Sequence, residues 1–396
     1  FLEINFEEYP EVKSFFNQSL NPFELIEKLT IYFNHQIIPG KTLLFFDEIQ
    51  SCPDALKSLR FFYEKIPDLH VIAAGSLLEL LLSEIPSFGV GRIESLYMYP
   101  MNFNEFLIAN NSEISINLIS SSSPDNPLDP VIHNKLIEQV RTFQIIGGLP
   151  EVVKTYIQTK NLLLCQKILD GILSNFFDDF AKYKERSPVD KLTEVFKSIV
   201  YQSGNKFKYS NISNQRSSTY KLALDLLIKA GLAYKIYHTS ARGLPLGAQI
   251  DQNKFKISPF DTGIYQRLLG LDLSQVIISD YPMLINRGSL VEIFTANEII
   301  SVLPSNIRPE LYYWHREKRA SNAEVDYVIS INGKIIPSEV KSGTKGQMQC
   351  MNLFLEERKL DQGLRISGEN FNTYNKITVI PVYAVFNIFK YPFIIQ

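Results

Sequence analysis

Residues Thr42–Gln50 read TLLFFDEIQ: four apolar residues in a row, Leu43 to Phe46, run into two acids, Asp47 and Glu48. A short, continuously apolar run predicts a strand buried on both faces of a parallel sheet. Leu69–Ala74 is a second such run, ending in Gly75-Ser76, and Phe1–Phe6 alternates as a strand does. Between them, Asn21-Pro22-Phe23-Glu24 has the cap, first-turn Pro and third-position Glu of a helix start, and predicts a helix to about Asn34. Ser51–Asp54 opens another helix, with Leu56, Leu59 and Phe62 on one face. Strand, helix, strand, helix, strand is the order of a doubly wound α/β sheet.

Farther along, Asn110–Pro130 holds Ser120–Ser123 in a row and several prolines, and reads as a flexible linker over 111–130. Helical patterning returns at Val131–Gln144 and breaks at Gly147-Gly148-Leu149-Pro150, with a small all-helical stretch continuing to about Tyr183. A helix over Val189–Tyr201, another from about Ser218 with Leu222, Leu226 and Leu227, a stop at Gly231 and a strand over Leu232–Tyr237 give a winged-helix-like order for 184–280. Near the end, Asn332-Gly333 lies between apolar-rich runs and predicts a two-residue hairpin turn.

The chain has 396 residues, enough for two or three cores, with 45% hydrophobic and 21% charged residues and a net charge of −2. That balance says nothing global about partners. Cys52, Cys165 and Cys350 are far apart and form no CxxC or Cys/His cluster, which argues against structural zinc or a disulfide framework and fits a reducing cytoplasm. No apolar run approaches the roughly 18–20 residues of a membrane span, and no signal peptide is visible. The chain starts with Phe1, inside a strand-like run, so an N-terminally truncated fragment is the expectation.

Ligands of parallel sheets lie outside the carboxyl ends of the strands, which is where Asp47 and Glu48 fall. In nucleoside triphosphatases such a pair holds Mg²⁺ through water and orients the attacking water; a solvated acidic turn is the plain alternative. Gly40-Lys41-Thr42 looks like the end of a phosphate-binding loop G-x-x-x-x-G-K-[ST]. His35 stands where its first Gly belongs, and a strand follows where a helix should open, so GKT reads as a turn.

DEIQ, the Ala73–Leu80 stretch AAGSLLEL and Gly91–Phe106, GRIESLYMYPMNFNEF, together resemble a prokaryotic AAA-type ATPase family whose C-terminal domain of unknown function carries a nuclease-like signature. The resemblance implies a partial P-loop NTPase sheet over 1–110, from the acidic strand onward, a phosphate-binding loop upstream of Phe1, and ATP with Mg²⁺ as cofactors. It implies Asp47 as the metal-holding acid, Glu48 as the water-activating acid, Ser76 as a polar sensor and Arg92 as an arginine finger. An ion-paired surface Arg is the alternative for Arg92. A helical connecting segment at 131–183 also matches the family, and an oligomer is compatible with it.

Lys182–Lys235 holds eleven Lys/Arg against four Asp/Glu, a local excess of seven positive charges. Lys206, Lys208, Arg216 and Lys221 are its candidate nucleic-acid contacts, for DNA or RNA, with a spacer or protein-interaction role as the alternative.

The more specific signal is AEVDYVISINGKIIPSEVKSG, Ala323–Gly343. A two-residue loop sets Ile331 opposite Lys334 and, counting back, Asp326 opposite Glu339, with Lys341 on their face. Opposed side chains have Cβ atoms roughly 4.5–5.5 Å apart, and like charges there need a compensating cation. Mg²⁺ is one answer. Asp-x12-Glu-x-Lys is also the spacing of the PD-(D/E)xK nuclease superfamily, which this segment resembles. That resemblance implies a restriction-endonuclease-like α/β domain over 281–396, with Glu292, Asp326 and Glu339 as metal ligands and Lys341 as a charge-stabilising catalytic group. An ion-pair cluster on a nuclease-like scaffold that does not cut, serving nucleotide sensing or protein interaction, is the rival. His315 and Arg316 belong to the strand entering the hairpin.

Overall fold

The computed structural model describes residues 1–75, 91–184, 186–213, 217–273, 287–317, 323–344 and 346–394. The chain forms two units, Phe1–Leu96 and Tyr97–Gln396. Among the described residues no helix is long and apolar enough to cross a membrane.

In the first unit, β1 (Leu2–Asn5), β2 (Leu43–Asp47) and β3 (His70–Ala73) form a parallel sheet in the order β1-β2-β3. Helices α1 (Lys13–Gln18), α2 (Pro22–Phe33) and α3 (Pro53–Lys65) complete it. The Asn21 side chain caps α2, accepting from Phe23 N–H, and Asn34 ends it at φ 47°. Alternation along β2 is sharper than a strand buried on both faces would show. Leu44 and Phe46 are fully buried, while Leu43 and Phe45 are only half-buried. Phe46 meets Phe16 edge-on at 5.5 Å and Phe62 at 6.1 Å, so the strand carrying the acids is fixed by rings from α1 and α3. Gly40-Lys41-Thr42 is a turn: Gly40 has φ 75°, and Thr42 N–H donates to Ile38 O at 2.8 Å.

The second unit begins with helices α4 (Phe103–Ala109), α5 (Glu113–Ser121), α6 (Pro130–Ile146), α7 (Pro150–Thr159), α8 (Leu162–Asp179), α9 (Val189–Tyr201) and α10 (Ser217–Lys229). Helix α5 occupies part of the stretch expected as a linker. Its serines hide a partner: Ile119 is fully buried, and the C-terminal tail returns over it, with Tyr391 Oη donating to Ile119 O and Asn387 Nδ2 to Ser120 Oγ.

Strands β4 (Ala233–Thr239), β5 (Ile250–Pro259), β6 (Leu311–His315) and β7 (Glu324–Val325) form a sheet in the order β5-β4-β6-β7. Segments 233–259 and 311–325, assigned by sequence to different parts, therefore share one sheet. A second sheet, β11-β12-β10-β9-β8, comprises β8 (Tyr327–Ile331), β9 (Lys334–Val340), β10 (Gly363–Ser367), β11 (Asn372–Tyr374) and β12 (Ile377–Pro381). Helix α13 (Gln349–Arg358) crosses from β9 to its parallel neighbour β10. The hairpin register is the one expected, Ile331 opposite Lys334 and Tyr327 opposite Ser338, around Asn332 (φ 47°) and Gly333 (φ 77°). Strands β7 and β8 are one run interrupted at Asp326, where the chain leaves one sheet and enters the other.

Helices α11 (Thr262–Leu268) and α12 (Arg287–Ser301) complete the unit. Helix α12 is buried on nearly every side, including Leu290, Phe294, Ala296, Ile299 and, unusually, Glu298. Glu298 Oε1 accepts from Phe103 N–H at 2.8 Å, and Oε2 has no partner. Burial pushes its carboxyl from an ordinary 4.5 up to about 8. The neutral acid is favoured in the folded chain, so this group's stabilisation is full below pH 4.5 and is lost as pH rises through about 8. Glu298→Gln is expected to flatten the fall in unfolding free energy between pH 5 and 8, an effect on the order of 3 kcal/mol, readable by denaturant titration at each pH. Equal pH slopes for both proteins would refute it.

Candidate functional site

At the carboxyl end of β2, Asp47 Oδ2 accepts from Asn5 Nδ2 on β1 at 3.1 Å, and its Oδ1 accepts from Glu48 N–H at 3.0 Å. Glu48 lies at φ 50°, in the left-handed region, at the turn that follows β2. Its carboxylate is held by Gln50 Nε2, and Gln50 Oε1 is buried with no partner. Arg92 places Nε 2.6 Å from Glu64 of α3, the ion-paired position. Ser76 lies outside the described residues.

The second unit gathers the other acids. Glu292 comes from α12, Asp326 from the break between β7 and β8, and Glu339 and Lys341 from the end of β9. Asp326 Oδ2 accepts from Val340 N–H at 2.8 Å, which ties the two sides of the hairpin beyond its last ladder pair. Lys341 Nζ donates to Glu339 Oε1 at 2.6 Å, while Glu339 Oε2 is buried without a partner. Tyr327 Oη donates to Glu292 O at 2.8 Å and fixes α12 against the hairpin.

Two members were missed in the sequence. Lys256, on β5, is 3% exposed and puts Nζ 2.5 Å from Glu324 Oε1, 3.9 Å from Glu292 Oε2 and 3.9 Å from Asp326 Oδ1. Glu324 stands two residues before Asp326, on the same side of the run. The signal for Lys256 was a lysine between apolar Phe255 and Ile257; only the fold could show which acids it meets.

Electrostatics follow from this crowding. Burial first, and then the Asp326 charge, push Glu292 up to about 8 and Glu339 up to about 7. Burial also raises Asp326. Burial disfavours the Lys256 ammonium, but Glu292, Asp326 and Glu324 outweigh it and hold the charge above the ordinary lysine range. The donors are hard oxygens of the kind Mg²⁺ takes, and one of them, Glu339 Oε2, is an orphan. As they stand, though, no three His, Cys, Asp or Glu side chains among the described residues converge enough to hold an ion. Lys256 Nζ lies among them.

Among the described residues, the basic stretch reaches this site at Gly204–Lys206. Gly204 (φ +79°) turns the chain so closely over α12 that an added Cβ would lie 2.7 Å from Ser289 Oγ and 3.5 Å from Glu292 Oε2. Two residues on, Lys206 forms a bridge pair with Lys256, and burial lowers its pKa. Lys208 and Lys221 are exposed, and Arg216 is outside the described residues. Arg316 instead pairs with Glu357 of α13 at 2.6 Å, and His315 O accepts from His238 Nε2, so both residues of the entering strand have structural partners.

Comparison with known families divides the chain in three. Residues 1–107 match the AAA domain family. An AAA domain is an ATPase-type, nucleotide-using module, and the Asp47–Glu48 turn lies within the match. Residues 137–275 match a domain of unknown function, DUF8612, and residues 287–385 match another, DUF4143. The DUF4143 match contains Glu292, Asp326, Glu339 and Lys341, whereas Lys256 falls in the DUF8612 match, so the acid site draws on both. No curated protein and no solved structure matches the chain.

Proposed function

We propose that the protein couples nucleotide turnover in its AAA domain to engagement of a nucleic acid by the second unit, where Glu292, Asp326, Glu339 and Lys341 act on the phosphodiester backbone. The observation that carries this reading is the meeting of three acids and a lysine from an α-helix, a strand break and a neighbouring strand around one buried centre. Lys256 and Lys341 compensate these acids only in part: burial still raises the carboxyls of Glu292, Asp326 and Glu339.

In this reading Asp47, oriented by Asn5, is the metal-side acid of the nucleotide site, and Glu48 the acid that orients water. Arg92, ion-paired with Glu64, is the candidate arginine finger. In the second unit, Glu339 holds Lys341 beside the acids, where the ammonium can neutralise charge on a scissile phosphate. A divalent cation bound by the acids would supply Lewis acidity and an activated water. The helix pair α9–α10 followed by the antiparallel β4–β5 supports a winged-helix-like reading, with Lys206, Lys208 and Lys221 as backbone contacts for DNA or RNA.

The test is cleavage of plasmid and single-stranded DNA or RNA with Mg²⁺ or Mn²⁺, with Glu339→Ala and Lys341→Ala beside the wild type. Loss of cleavage in both variants is expected; activity surviving both changes sinks the assignment. A second reading, a nuclease-like scaffold that does not cut, is favoured by the lysine lying among the acids and expects no cleavage with any metal.

A further inference from the structure

Lys256 faces three carboxylates from three elements: Glu292 on α12, Glu324 on β7 and Asp326 at the strand break. Its Nζ lies over the Tyr313 ring, 5.4 Å from the centroid, so the ammonium has an aromatic neighbour as well. It is almost wholly buried, and Lys206, its bridge partner on the next segment, is not. Glu339 Oε2, buried beside these groups, accepts from neither lysine and has no hydrogen-bond partner.

We propose that Lys256 is the resident cation of the acid site, occupying the place a divalent ion would take, and that a phosphodiester backbone at the Lys206 edge draws it out. An ammonium and a divalent ion cannot share one set of carboxylates at close range, because like charges repel most strongly where water is excluded. A phosphate beside Lys206 offers Lys256 an alternative anion. Metal and nucleic acid then bind with positive coupling, each tightening the other by the same factor. This role rests on the reading of Glu292, Asp326 and Glu339 as cation ligands; it makes Lys256 a positioning residue that gates them, contributed from outside the hairpin motif.

The test is Mn²⁺ titration of the full chain, followed by electron paramagnetic resonance, with no nucleotide present. Wild type is expected to bind weakly alone and at least fivefold tighter with a phosphorothioate single strand. Lys256→Met is expected to bind at least tenfold tighter than wild type without the strand, and to gain little from adding it. Glu339→Gln in the Lys256→Met background should remove that tight site, and Lys256→Arg should stay as weak as wild type. Melting curves with and without Mn²⁺ cover the folding question. A Lys256→Met protein stabilised by Mn²⁺ supports the gate. One that fails to fold in both conditions, or binds no tighter than wild type, overturns it. Tight Mn²⁺ binding by Lys256→Met with no cleavage by any form would leave the gate standing and remove the phosphodiester reading.

Discussion

Asp261→Ala is expected to destabilise the second unit by about 4 kcal/mol, combining a lost helix cap with a buried donor left unmet. Asp261 is 1% exposed and sits at the N-terminus of α11, where Oδ1 accepts from Ile264 N–H at 2.8 Å. Its other oxygen accepts from Gly148 N–H at 2.7 Å, more than a hundred residues earlier in the chain. The segments are too close for any side chain between them: a Cβ on Gly147 would lie 2.4 Å from Asp261 Oδ1, and one on Gly263 would lie 2.5 Å from Ile146 O. Asp261→Asn keeps one acceptor and should recover only part of the loss. Denaturant midpoints of the three proteins decide it, and a loss under about 1 kcal/mol for the alanine variant would contradict the account.

Asp326→Asn is expected to do the opposite in stability and far more in activity. The site holds four carboxylates, Glu292, Glu324, Asp326 and Glu339, against the ammoniums of Lys256 and Lys341. Burial disfavours the Asp326 carboxylate, so a neutral asparagine removes a desolvation cost, and its oxygen can still accept from Val340 N–H. The melting temperature should hold or rise. Cleavage should fall roughly a hundredfold or more, because several kcal/mol of transition-state stabilisation go with a metal ligand and about 1.4 kcal/mol is a factor of ten. A group whose removal costs activity and not stability is held for function.

Much of this was legible because local rules bear on it directly. Asn332-Gly333 permits φ > 0 at both turn positions, and that alone sets the register bringing Asp326 to the end of β9. Pro22 and Asn21 bound α2 by capping chemistry, and the run Leu43–Phe46 marks the strand that carries Asp47. What was not legible depends on long-range packing. The serines of α5 read as linker because the residues that cover them, Asn387 and Tyr391, lie more than 260 positions away. Lys256 carries no motif of its own. Its meaning arises only when β5 joins a sheet with β6 and β7, a pairing that local patterning does not reveal. Burial of Glu298 was hidden for the same reason: Phe103 N–H is its partner only in the fold.

The measurement that bears most directly on the central claim is Mg²⁺-dependent hydrolysis of an end-labelled single-stranded oligonucleotide by wild type and Asp326→Asn, with melting temperatures taken on the same preparations. Wild type is expected to cleave, and Asp326→Asn to cleave roughly a hundredfold more slowly or not at all while melting at the same temperature or higher. A wild type that leaves the strand intact with Mg²⁺ and Mn²⁺, or an Asp326→Asn variant that cleaves as fast, would contradict it.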